Sequence, residues 1–276
     1  MLDSRKELLR QGLRRESDVA LDAAALEIAS IQRLDLDGTR YLKMLDGMAA
    51  ELTKRSPPGT SGAMFVREAN TYLFGALGFR GNERDYYNPS NSCLDAVLDR
   101  RVGIPITLSV VYIEIARRLK RPVFGVGLPG HFVVQYDDGE YFTYIDPFHG
   151  GKLLTEEDCG RLAREIAGVD LANEPEELAP VGTRYILVRM LNNLRSAYFR
   201  SKQNAKAVDV MDLLLEAFPE NADYYKSRAI ARLNLRQFSA AKSDFEMYLK
   251  CAPDAEDGAE VTAQLEAIHR WLGQHN

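Results

Sequence analysis

The chain has 276 residues, 46% of them hydrophobic and 27% charged, and a net charge of -5. That is apolar material for one large or two ordinary globular domains, and no basic block marks a surface for nucleic acid or anionic membrane. Three cysteines without a CxxC pair point to neither a disulfide framework nor a zinc site, and they fit a reducing cytoplasm.

The N-terminal stretch MLDSRKELLRQGLRRESDVALD is charged throughout and lacks the apolar segment of a signal peptide. Residues 1 to about 80 read as helices. Leu21, Ala24, Ala25, Ile28 and Ile31 share one apolar face, and Tyr41, Leu42, Leu45, Met48 and Leu52 another. Ser56-Pro57-Pro58-Gly59 is a turn, Phe65 to Leu77 resumes the helical period, and Gly78 to Ser92 is loop-like. A short helix through Leu94, Val97 and Leu98, capped by Asn91 or Ser92, stops at Gly103. The next begins near Pro105, a favoured first-turn residue, and is apolar nearly all round, as a buried central helix is. Its apolar run, Ile104 to Ala116, is too short to span a bilayer and contains Glu114, a partner for Arg117 or Arg118 one turn on.

After Pro122 come three strands, Val123 to Leu128, HFVVQYD and EYFTYID. A helix followed by consecutive strands predicts an α+β fold with an antiparallel sheet. With Asp138-Gly139 as a two-residue turn, facing residues sum to 277, and His131 and Asp146 do. They would sit directly cross-strand, with Cβ atoms roughly 4.5–5.5 Å apart. A carboxylate there can fix the tautomer of an imidazole; a surface His–Asp pair is the plainer reading. His149 follows in a loop and reads as a surface or turn residue. The four histidines have no metal-ligand spacing, so neither metal nor cofactor is expected.

Asp158 to Ile166 looks helical, and residues 169–183, acidic with two prolines, read as a linker between a first domain (1–168) and a helical tail (184–276). The tail repeats at a shift of 34 residues, with Ala207 on Ala241, Met211 on Phe245, Leu215 on Leu249 and Pro219 on Pro253. That period and residue pattern is the tetratricopeptide signature. The last helix would cap one end.

Four stretches, NPSNSCL, RRVGIPITLS, GVGLPGHF and DPFHGG, resemble motifs of the transglutaminase-like superfamily, and specifically bacterial proteins labelled regulators of sirC expression, of SirB type. The resemblance covers residues 20 to 270. It implies a papain-like core in which a histidine activates a cysteine and an aspartate orients the histidine. His131 and Asp146 match the last two roles. The cysteine position falls on Pro105, which has neither a nucleophile nor an amide proton. Thr107 and Ser109, within a turn of Pro105, are substitute hydroxyls, and Cys93 at the start of the preceding helix is a displaced thiol. Each has a plainer role: first-turn residue, helix-internal hydrogen bond, small buried side chain. The resemblance therefore implies a cytoplasmic adaptor or regulator that binds a protein or peptide through its cleft and repeat tail. The alternative is an amide-bond hydrolase or acyl transferase with a displaced nucleophile. A direct nucleic-acid binder is not expected.

Overall fold

The computed structural model describes residues 6–14, 19–171 and 175–275. It divides into two compact units, residues 1–190 and 191–276.

The first unit opens with helices α1 (Glu7–Arg14), α2 (Leu21–Ala29), α3 (Gly38–Arg55) and α4 (Gly62–Asn70); α4 widens into a π-helical turn, Thr71–Ala76. The apolar faces read from the sequence are the buried ones: Ala24, Ala25 and Ile28 on α2, and Tyr41, Leu45, Met48 and Leu52 on α3. The loop-like stretch after them contains a two-residue strand β1 (Arg80–Gly81) that pairs in parallel with β2 (Val102–Gly103). Between these lies α5 (Leu94–Arg100). Neither Asn91 nor Ser92 caps it: Cys93 is the N-cap residue, and its side chain makes no capping bond to the helix. The capping carboxamide acts earlier, where Asn88 accepts from the Ser90 amide and starts a 3-10 turn.

Helix α6 (Pro105–Arg118) is the centre of the unit, buried at every residue from Pro105 to Ala116. It packs on α2, α3 and α5 and on strands β3 (Val123–Leu128) and β4 (His131–Asp137). A helix enclosed on all sides must be apolar all round, and ITLSVVYIEIA is nearly so. Its one acid, Glu114, lies 2.9 Å from Arg117 and 3.1 Å from Arg118, and Arg118 also reaches Asp22 of α2 and Asp46 of α3.

The sheet continues with β5 (Phe142–Asp146), β6 (Lys152–Leu154) and β7 (Pro180–Val181), in the order β6-β5-β4-β3-β7, every neighbour antiparallel. Helix α7 (Glu156–Ala167) closes a second apolar cluster, in which Cys159 and Ala163 meet Val126, Leu128, Val133 and Tyr144. Described parts of the stretch 169–183, expected as a linker, belong to this sheet and its core: Leu171 is buried in that cluster, and Pro180–Val181 pairs with β3. A strand of two residues carries no periodicity to read.

Helices α8 (Thr183–Arg200), α9 (Asn204–Ala217), α10 (Ala222–Asn234), α11 (Phe238–Cys251) and α12 (Gly258–His275) follow. Both ends of α11 lie 34 residues after those of α9. The left-handed residues before these helices, Lys202 at φ 56 and Arg236 at φ 59, keep the same spacing. Among the described residues, no helix is long and apolar enough to cross a membrane.

Candidate functional site

His131 opens β4 and Asp146 closes β5, so both stand at one end of the sheet. His131 Nε2 lies 2.9 Å from Asp146 Oδ2, with both side chains buried. The pairing that brings them together is not the one the two-residue turn predicts. The observed pairs, Val134 with Ile145 and Asp137 with Phe142, sum to 279, and Asp138 to Tyr141 form a four-residue loop. Asp138 holds that loop by accepting from the amides of Glu140 and Tyr141. Because the register moved by two residues, no side chain changed face. His131 and Asp146 meet on the diagonal instead of directly opposite.

A third group completes the cluster. His149, expected as a surface or turn residue, is half exposed, yet its Nδ1 lies 2.7 Å from the same Asp146 Oδ2. The other carboxylate oxygen accepts from the amides of Phe148 and His149, at 3.0 and 3.3 Å. This side-chain turn folds the chain back so that the His149 ring returns over the aspartate. Gly150 and Gly151 complete it at φ 71 and 78, and Gly151 gives its amide to the Asp146 carbonyl. The loop is fastened on both sides. Asn70 donates to the Gly151 carbonyl at 2.7 Å, and Phe148 packs so closely that a Cβ at Gly81 would stand 2.6 Å from its ring. Three ligand-type atoms thus lie within 4.8 Å of one another, which corrects the expectation that the histidines form no such group. The signal was in the sequence: an aspartate two and three residues before the amides it caps, then a histidine and two glycines.

The charge of the cluster follows from its bonds. Burial pushes the Asp146 carboxyl up, but the bonds and charges of His131 and His149 outweigh it and hold it below the usual carboxylate range. An anionic carboxylate only accepts, so His131 donates from Nε2 and His149 from Nδ1. His131 Nδ1 is then the nitrogen left to act as a base.

The start of α6 is arranged differently. Pro105 is its first residue and is buried. Thr107 Oγ1 donates to the Asn91 carbonyl at 2.8 Å and accepts from the Ile104 amide at 3.1 Å, so its hydroxyl is spent on the backbone. Ser109 is fully buried and its Oγ has no hydrogen-bond partner among the described residues, not even the helix carbonyl expected for it. Cys93 is fully buried, with Sγ 3.5 Å from the Pro89 carbonyl oxygen. The buried Asn91 organises this corner. Its amide nitrogen donates to the carbonyls of Asp85 and Tyr86, and its oxygen accepts from Asn82 and Arg100. The structure therefore joins His131, Asp146 and His149, and gives Thr107 and Cys93 backbone partners of their own.

Two other titratable groups mark the interior. Burial pushes the Cys159 thiol up to about 12, as expected of a core cysteine. Burial and the nearby charge of Asp22 raise Glu114 to about 7 despite Arg117 and Arg118. Arg118 is shared with Asp22 and Asp46, which leaves less of its charge for Glu114.

In the second unit, Ala229, Phe245, Tyr248, Val261 and Ile268 form one core across α10, α11 and α12. Arg228 and Arg232 both pair with the buried Asp244, at 2.7 and 2.8 Å.

Comparison with known proteins matches both units. A family profile described as transglutaminase-like superfamily covers residues 39–192, and a tetratricopeptide repeat profile covers residues 194–266. UPF0162 proteins of Xylella fastidiosa strains 9a5c and Temecula1 are 33% and 34% identical over 253 residues, covering 91% of this chain and 90% of theirs. F-box only protein 21 of Homo sapiens is 35% identical over 162 residues, covering 55% of this chain and 25% of that protein.

Proposed function

Since the chain belongs to the transglutaminase-like superfamily, beside the UPF0162 proteins and with a tetratricopeptide repeat at its end, we propose that it is a non-catalytic adaptor or regulator that binds a protein or peptide segment. Pro105 carries this reading. The helix start that would present the family's thiol presents a proline ring, and the nearest hydroxyl, Thr107, is tied to the Asn91 and Ile104 backbone. A thiolate in place of the missing one would need an electropositive, accessible setting. Cys93 is fully buried. Repeats of this type commonly bind protein segments, which supplies the adaptor half of the proposal. The expected place of action is the cytoplasm.

The test is turnover together with thiol mapping. The full chain is expected to cleave or transfer no amide substrate above background. Iodoacetamide is expected to label Cys93 slowly, at the same rate in wild type and His131→Ala. Partners retained by the wild type are expected to be retained by that variant. Amide turnover abolished by His131→Ala would overturn the proposal.

One observation favours an active enzyme instead. The buried 2.9 Å bond between His131 and Asp146 is what a general base and its orienting carboxylate require, and a binding scaffold has no chemical need of it. The same turnover measurement separates the two readings.

A further inference from the structure

We propose that His131, Asp146 and His149 form a binding site for one divalent transition-metal ion of the zinc class. This goes beyond the adaptor reading and does not depend on it.

Two neutral imidazoles and one carboxylate are a recurring ligand set for such ions, and three protein ligands leave at least one coordination position open. Among the described residues, this is the one cluster of three or more histidine, cysteine or acidic side chains whose ligand atoms approach so closely. It is also convergent. His131 Nε2 and His149 Nδ1 point at a single oxygen, Asp146 Oδ2, at 2.9 and 2.7 Å, and the two rings face each other at 29° with centroids 5.7 Å apart. An ion with bonds near 2.0–2.1 Å in tetrahedral geometry sets its ligand atoms about 3.3 Å apart. The two nitrogen–oxygen distances fall short of that by about 0.4 and about 0.6 Å, and the two ring nitrogens lie within 4.8 Å of each other, so the rings must shift to admit the ion. In the ion's absence the two ring protons occupy the space between nitrogen and oxygen; on binding, a neutral ring moves its proton to its other nitrogen by way of solvent, a ring that carries two releases one, and the freed nitrogen takes up the metal as a neutral donor.

The carboxylate is held for this purpose by atoms that do not compete for the ion. Its other oxygen is fixed by the amides of Phe148 and His149, the kind of outer support that orients metal ligands. The loop is pinned by Asn70 on one side and Phe148 against Gly81 on the other. A side-chain turn alone needs only the two amides on Asp146 Oδ1. It gives no reason for a second imidazole to close on Oδ2. His149 is half exposed, which provides the route of entry, while His131 and Asp146 are buried.

The experiment uses the full chain stripped with a chelator. Cobalt(II) is titrated while its visible absorption is followed, and zinc affinity is measured against a chromogenic chelator. We expect saturation at one equivalent, and His149→Ala to weaken zinc by more than the roughly 100-fold at the upper end for lost outer-sphere partners, with an unchanged far-ultraviolet spectrum. Should that variant not fold, diethylpyrocarbonate labelling of the wild type is read by mass spectrometry: zinc is expected to protect His149. Absence of saturable binding, affinity undiminished in a folded His149→Ala protein, or unchanged labelling of His149 would each overturn the proposal.

Discussion

The start of α6 and the end of the β4–β5 pair are both buried and both polar, yet they spend their polarity in opposite ways. At the helix start the side chains chiefly serve the backbone: Thr107 ties Ile104 to Asn91, and Asn91 ties two carbonyls of the preceding loop while its oxygen accepts from Asn82 and Arg100. At the strand end the backbone serves the side chain. Two amides hold one oxygen of Asp146 so that the other can meet two imidazoles. The first arrangement is a finished structural joint, and the second keeps titratable nitrogens around one point. In one transglutaminase-like core, the polar groups at the start of α6 are thus tied off locally while those at the histidine–aspartate end converge on one oxygen.

Substitutions test this contrast most sharply where the strand end is cut. Asp146→Ala removes an acceptor that serves four donors in a buried site, and is expected to cost about 3–5 kcal/mol in urea unfolding. A smaller loss would mean that the loop holds without its aspartate. Glu114, at the opposite end of α6, is expected to act through pH with a comparable range. Its folded value of about 7 lies above its ordinary 4.5, so its contribution is fully present below about 4.5. It is lost as pH rises through 7, by about 3 kcal/mol in all. Glu114→Gln should flatten that decline in a pH series of unfolding curves; an unchanged slope would place the titration elsewhere. Thr107→Val keeps the shape and removes the hydroxyl, orphaning a carbonyl and an amide, for an expected loss of about 2 kcal/mol. Ser109→Ala, two residues along, removes a hydroxyl with no partner and should change stability by less than about 0.5 kcal/mol. If the Thr107 and Ser109 variants behaved alike, the helix start would not be the joint described above.

The elements that could be read from the sequence were those with long periodicity or strong punctuation. The helical faces of α2 and α3, the proline-led start of α6 and the 34-residue repeat all have a physical signal spread over many positions. The strand pair was legible by face but not by register. Asp138 accepts from two amides and so widens the loop to four residues, an interaction that a turn rule based on Asp-Gly does not include. The His131–Asp146 contact tolerated that error because a two-residue slip preserves the face. His149 shows no ligand spacing along the chain, because the Asp146 turn brings its ring back to the aspartate in space. Leu171 and β7 are not legible in the sequence, because one buried leucine and two paired residues leave no pattern in an acidic, proline-bearing stretch.

The repeat of helix ends at 34 residues has a kinetic consequence. In the second unit each helix packs chiefly on its neighbour in sequence, α9 on α10, α10 on α11 and α11 on α12. Closing such contacts requires only short loops, so little chain entropy is lost before packing offsets it. The first unit must instead join α3 to α6 and β3 to β7 across long intervals of chain. On dilution from denaturant, the C-terminal helices should regain their native signal ahead of the sheet, and the strand end that gathers His131, Asp146 and His149 should be among the last places to form.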